Sequence, residues 1–354
     1  MKSKSKLAKF IPGKRRIRRG SGDADDGMPR ITNDSVAQHR EEVLGKARKF
    51  IYPLRHSRTR VVKLSVSVVV AALLAFFIGS CLELYKFQST SSFMYGVTRV
   101  IPFPVAWANG RFVSYESYLF ELRHYMHYYQ NQQNVDFSDE SGQRQLVRLK
   151  EQSLQQAIDR AYVSQLAHEY DVRVTGREVN QQVEIARQQN RLGASEAVFN
   201  SVLKEFWGWT ITDFKHELRM ELLDQRVAAK LDTETPKRAQ AAYQQLRKGA
   251  DFAKLAAAVS DDVTTKASGG KYGFVITLTN RDLPPVLLQT IYNLPENKIS
   301  PVINTGYTLE IVKVTDIDGT KRQVSHIAFN YKDINEFIDP IKKQHPAKRF
   351  ISVN

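Results

Sequence analysis

Few side chains in this 354-residue chain have the type and spacing that chemistry requires. Its 8 histidines show no HxxxH or HxH spacing, and Cys81 is its 1 cysteine. That pattern excludes a disulfide framework and every multi-thiolate metal site, and it argues against a zinc hydrolase. No metal and no cofactor is expected. What remains is local. Ser260-Asp261-Asp262 sets two carboxylates beside a hydroxyl, ahead of Gly269-Gly270, a pair that marks a turn with unusual backbone dihedrals. Asp262 is either a polar group at a site or a helix cap beside Asp261. His326 stands in Val324-Ser-His-Ile-Ala-Phe329, and a lone histidine of this kind is either structural or functional.

These residues need elements to hold them. Phe252, Leu255 and Ala256 lie on one side of a short helix, which a loop, the Gly-Gly turn and a strand follow. Tyr307 to Val314 reads as a later strand, and Asp318-Gly319 suits the positive dihedrals of a two-residue hairpin loop. Residues 307–316 would then pair with 321–329. Asp333 to about Lys343 reads as a closing helix, and Arg349 to Val353 as a short edge strand. The alternative for this end is an independent tail or the stub of another domain, but so short a segment has no core of its own.

Upstream the chain reads as helices. Asn109-Gly110 inside residues 105–113 signals a short hairpin. Tyr115, Tyr118, Leu122, Tyr125 and Tyr129 recur at steps of three and four, which puts them on one helical face. A second helix covers 142–170, and Thr175-Gly-Arg-Glu178 is a capping box that opens a third, to about Gln189. Further helices are expected over about 195–206 and 212–231, and Thr235-Pro236 opens another with proline in its first turn.

The charge balance describes one end of the molecule. The formal net charge is +15, of which the first 63 residues supply +12 through 18 basic and 6 acidic side chains. A nucleic-acid surface over the folded body is therefore not expected, and no specific nucleic-acid partner is assigned. Leu64 to Leu82 carries no charge and is long enough to cross roughly 30 Å of hydrocarbon, although a buried soluble helix is the alternative. Arg55, Arg58, Arg60 and Lys63 precede it, and positive residues stay inside. The expectation is a single-pass membrane protein with a cytoplasmic N-terminus and extracytoplasmic C-terminal domains. Residues 1–35, with Lys14-Arg15-Arg16 and Arg18-Arg19, should be disordered and either contact anionic lipid, bind nucleic acid loosely, or serve as a solvated tail that fixes topology. Ile78-Gly-Ser-Cys81 resembles a lipoprotein cleavage box, and Cys81 is otherwise a small residue at the membrane edge.

Two stretches resemble a known family. The order of Asn-Gly hairpin, Tyr-rich helix, AIDRAYVSQLAHEYDVRVTGREV and FWGWTITDFKHELRMELLDQRVA is similar to the N-terminal helical domain of SurA-like and PrsA-like extracytoplasmic folding factors. Gly249-Ala-Asp251-Phe252, then Ser260 through Gly273, then LPENKISPV and Gly306-Tyr307, resembles a parvulin-type peptidyl-prolyl isomerase domain. The resemblance implies an α+β chain: a transmembrane helix, an all-α chaperone-like domain, and an antiparallel parvulin-like sheet with helices, of the FKBP-like superfold. Its expected parts are a basic cytoplasmic segment 1–62, largely disordered, a transmembrane helix 63–84, a stalk 85–104, a helical domain 105–235 and a parvulin-like domain 236–354.

The resemblance also implies roles. Asp262 matches the family's polar position, and Leu283 and Leu287 match the proline slot, the second replacing a usual phenylalanine. The family's two facing histidines lie on its first and last strands. Here the first strand is missing from its usual place, and its match, Val324 to Phe329, follows the last strand. The domain is therefore expected to be circularly permuted, with 321–329 as first strand and His326 opposite Thr308 or Glu310. A plain two-residue loop puts Ile311 across from His326, while a bulge brings Glu310 to the same face. The implied function is isomerase and chaperone for unfolded or newly exported polypeptides; the other class is a non-catalytic holdase with a degenerate site.

Overall fold

The computed structural model describes residues 32–51, 54–188 and 195–353, in two compact units divided at Ala75 and Phe76. The basic run before residue 32, with the disorder expected of it, lies outside the described residues. In the first unit, α1 (Asn33–Ile51) corrects the expectation of disorder up to residue 62. Asp34 in its first turn and a Glu42–Lys46 pair at i,i+4 support a helix whose described side chains are almost all exposed. Then α2 (Leu54–Cys81) carries the uncharged stretch. Val61–Lys86 is long and apolar enough to cross a membrane, and its Leu64 and Leu73 are 68% and 63% exposed.

The second unit begins inside that helix. Residues 85–104 are not a stalk: Leu84 is fully buried, the Tyr85 hydroxyl donates to the Pro104 carbonyl at 2.6 Å, and Ser91 caps α3 (Ser92–Val100). Met94, Val97 and Ile101 pack into the core at helical spacing, a pattern that the serines and threonines around them disguised. Next come β1 (Pro104–Ala108) and β2 (Arg111–Ser114), joined by Asn109-Gly110 with φ of 40° and 91°. Then follow α4 (Tyr115–Gln132), α5 (Glu140–Glu169), α6 (Gly176–Gln188), α7 (Glu196–Trp207) and α8 (Ile211–Leu231). Tyr115, Tyr118 and Leu122 are buried, so the tyrosine stripe is core, with Tyr125 and Tyr129 at its margin. Thr175 and Glu178 exchange the bonds of a capping box.

The remaining elements build a sheet. After α9 (Glu234–Arg247), α10 (Phe252–Val259), α11 (Val263–Lys266) and α12 (Pro285–Asn293) come β3 (Ile303–Asn304), β4 (Thr308–Asp318) and β5 (Lys321–Asn330). The order is β3-β4-β5, and bridges at Lys271–Ser325 and Ile276–Arg322 extend it beyond β5. Leu309, Ile311, Ile327 and Phe329 pack against residues of α9 and α10, whereas Val312, Val314 and Val324 meet Ile276 and residues of α12. β4 and β5 pair antiparallel, as a permuted sheet requires. The two-residue loop falls at Gly319-Thr320 rather than at the expected Asp318-Gly319, so Asp318 is the last residue of β4 and faces Lys321; with the ladder shift at Thr315, Val312 rather than Ile311 lies opposite His326. Glu310, two residues from Val312, therefore shares the face of His326.

The chain then returns to the helical body. α13 (Ile334–Gln344) forms where a closing helix was expected, but its Ile338 is fully buried in the same core as Tyr115 and Leu149. β6 (Lys348–Arg349) pairs antiparallel with β1, Ala106 facing Arg349, to give a second sheet of order β2-β1-β6. Residues after about 333 thus belong with the helical domain, which corrects the expected boundary at 354. Burying Ile338 and Ile351 there contributes about 1.5–3 kcal/mol for each side chain.

Candidate active site

Local sequence delivers Asp262 to His326. The Ser260 hydroxyl accepts the backbone N–H of Ala328 at 3.2 Å, and the Asp261 N–H donates to the Ala328 carbonyl at 2.8 Å. Asp261 Oδ2 also accepts the Asn330 N–H, so the segment is laced to the end of β5. From the other side, the His326 N–H donates to the Gly270 carbonyl at 2.8 Å. Gly270 sits at φ +80° and a Cβ there would stand 2.1 Å from the His326 carbonyl oxygen, so only glycine lets the turn close on this strand.

The imidazole of His326 is then held between two carboxylates. Nε2 lies 2.9 Å from Asp262 Oδ2 and 2.9 Å from Thr265 Oγ1, and Nδ1 lies 3.0 Å from Glu310 Oε2 and 3.1 Å from the Tyr272 hydroxyl. The Tyr272 ring stacks on the imidazole at 4.2 Å and 21°. Thr308 Oγ1 donates to Glu310 Oε1 at 3.1 Å, which places Thr308 one step further out. His326 and Glu310 side chains are 6% and 10% exposed, while Asp262 is 23% exposed and forms the open edge of the cluster.

Asp262 plays both roles that its sequence left open. It caps α11, accepting the Thr264 N–H at 2.9 Å, and it contacts His326. Partial burial opposes its charge, but bonds from Thr264, Thr265 and His326 outweigh this and hold the carboxyl well below the usual carboxylate range. Burial, and after it the charges of Glu310 and Asp262, push the Tyr272 hydroxyl far above its usual value, so it stays a proton donor.

Leu283 and Leu287 stand elsewhere. They are 7% and 0% exposed within the core formed by Ile276, Ile291 and Val314. The open space beside the cluster, about 360 Å³, is lined instead by Tyr272, Phe274, Val275 and Gln323. Thr265 and Tyr272 were not anticipated. Position alone could have pointed to Tyr272, two residues past the Gly-Gly turn and hence beside the paired strand.

Comparison with known proteins finds two family matches along the chain. The PPIC-type PPIASE domain family matches residues 222–316, and the SurA-like N-terminal domain family matches residues 54–228. The first match stops before β5, so the strand that carries His326 lies outside it. The foldase protein PrsA of Caldanaerobacter subterraneus subsp. tengcongensis is 26% identical over 60% of this chain and 74% of its own length. A parvulin-like PPIase of Rickettsia bellii is 26% identical over 46% of this chain and 58% of its own, and the chaperone SurA of Aromatoleum aromaticum is 37% identical over 23% and 18%. A crystal structure of foldase protein PrsA from Streptococcus pneumoniae is 19% identical over 54% of this chain and 76% of its own, with a TM-score of 0.18, too loose to bear on the fold. The chain thus carries a SurA-like N-terminal domain followed by a rotamase domain of the parvulin type.

Proposed function

We propose that this chain is a membrane-anchored extracytoplasmic peptidyl-prolyl cis-trans isomerase that assists the folding of exported polypeptides. The observation that carries the reading is the Asp262–His326–Glu310 cluster, assembled from an Asp-containing loop and two adjacent strands. The X-Pro bond turns over a barrier of about 18–20 kcal/mol because the amide must lose its planarity. A catalyst needs no nucleophile; it needs an apolar place for the ring, less water, and a polar group that favours the twisted amide. Asp262 is the group open to substrate, and His326 and Glu310 fix it in place from behind. Tyr272 and Phe274 offer the apolar wall.

The anchor reading rests on the apolar helix Val61–Lys86, exposed over residues 61–78, and on the basic residues before it. The basic N-terminal run would face the cytoplasm and contact anionic lipid. External protease on intact cells should remove the domains beyond residue 86 and spare the N-terminal segment; protection of the isomerase domain would sink this topology.

A holdase without catalysis is the second reading, favoured by the closure of Leu283 and Leu287 into the core. A proline-limited refolding assay, run beside an aggregation-suppression assay, separates the two. Acceleration that Glu310→Gln and Asp262→Ala both lower supports the isomerase, whereas suppression without acceleration supports the holdase.

A further inference from the structure

We propose that a cleft in the helical domain binds client segments in which an acidic side chain neighbours an aromatic one. The cleft is formed by α3, α4 and the turn between α7 and α8, none of which contributes to the His326 cluster. It rests on the reading of the chain as a binder of non-native polypeptide and says which polypeptide it selects.

The floor is aromatic because of one glycine. α7 ends at Gly208, whose φ is +68° and whose N–H returns to the Lys204 carbonyl at 3.0 Å. A Cβ there would stand 2.9 Å from the His127 ring, so a side chain would block the turn. The turn sets Trp207 and Trp209 nearly parallel, with ring centres 5.9 Å apart at 21°. Trp209 is fixed from beneath by stacking on His124 at 4.4 Å and on Phe120 at 5.8 Å. The cavity over these rings holds about 370 Å³, room for a pair of side chains with their backbone.

The opposite wall is cationic. The guanidinium groups of Arg99 and Arg123 lie 5.9 Å and 5.3 Å from the Tyr95 ring centre. Arg123 is anchored by bonds to the Thr90 carbonyl and Ser92 Oγ. Among the described residues Arg99 has no hydrogen bond and no ion pair, and the carboxylate lining the cavity, Asp213, is engaged by the Thr210 N–H and hydroxyl. A cleft with stacked indoles on one side and an unpaired guanidinium on the other complements an aromatic ring joined to a carboxylate. Basic segments meet like charge.

The test uses the full chain in detergent and two fluorescein-labelled nine-residue peptides of a Gly-Ser background, one with Asp-Phe pairs and one with Lys-Phe pairs. Anisotropy should show the Asp-Phe peptide binding at least about tenfold tighter. Arg99→Gln should abolish that preference and Arg99→Glu should reverse it, with helical content and the isomerase rate on a short proline peptide unchanged. Equal affinities for the two peptides, or an unchanged preference in both variants, overturn the proposal. Isomerase activity without the preference removes the cleft alone, and the preference without isomerase activity removes the catalytic reading alone.

Discussion

Two places in this molecule put a cationic or cation-forming side chain between carboxylates, with opposite results. In the sheet, His326 stands between Asp262 and Glu310. In the helical body, Arg160 pairs with Glu121 and Glu217, the second at 2.6 Å, and Asp224 adds a further carboxylate nearby. Asp262 is held well below the usual range, whereas Glu121 and Asp224 are each pushed up to about 7. Burial is the first cause for all three. The difference lies in the hydrogen bonds: Asp262 collects them from two threonine hydroxyls and a backbone N–H, while Glu121, 3% exposed, faces Arg160 with like charges close by. A neighbouring cation alone does not keep a buried carboxylate charged; several short donors do.

Removing the arginine should have the largest effect. Arg160→Met leaves the buried carboxylates without their cation and should cost about 3–5 kcal/mol in urea unfolding at pH 8. A smaller loss at pH 5 than at pH 8 is part of the expectation, since protonated carboxyls need no cation. An equal loss at both values would break the contrast with Asp262.

At the other site the effect is on rate. Asp262→Ala should lower proline-limited refolding catalysis at least about tenfold, with a stability loss of about 0.5–2 kcal/mol from the lost cap of α11. Full activity in that variant would leave the sheet cluster as a structural network and the comparison as one of packing only.

The pH dependence of stability sharpens the same point. Glu121 has its folded value raised from 4.5 to about 7, so between these values the folded chain binds the extra proton and stability falls as pH rises. Below about 4.5 that contribution is flat. Glu121→Gln should make the fall shallower, Asp224 retaining a share, as read by denaturant midpoints from pH 4 to 8. Asp262 works in reverse: its contribution is complete above its unfolded value of 3.8 and is lost as pH falls.

The smallest change is Tyr272→Phe. The ring still stacks on His326, and what is lost is the hydroxyl that lies 3.1 Å from His326 Nδ1 and 3.5 Å from Glu310 Oε2, which should cost about 0.5–1.5 kcal/mol and change the rate less than about threefold.

The sequence made part of this legible. The strand carrying His326 could be placed beside β4 because a short turn joins two alternating runs and only a limited set of registers exists. Thr175, Asn109-Gly110 and Pro236 marked element ends through chemistry that acts within a few residues. Not legible was that the two-residue loop is Gly319-Thr320 rather than Asp318-Gly319, nor the one-residue shift at Thr315, since a bulge leaves no composition signal; together they put Val312 rather than Ile311 opposite His326. Nor was the partner of α13. Ile334, Phe337, Ile338 and Ile341 declare an apolar face at steps of three and four, but what covers it is α5 and α8, more than a hundred residues back. The same limit hid the packed state of Leu283 and Leu287, because a leucine in a slot and a leucine in a core are written alike.

The pairing of β6 with β1 has a consequence in time. Ala106 and Arg349 are 243 positions apart, yet they are neighbours in one ladder. Synthesis at roughly 5–20 residues per second puts on the order of 10–50 s between the appearance of β1 and that of its outer partner. Throughout that interval the hairpin presents a bare edge of backbone donors and acceptors, the kind of edge that recruits other chains. The second sheet of this chain can therefore close only after its far end has been made.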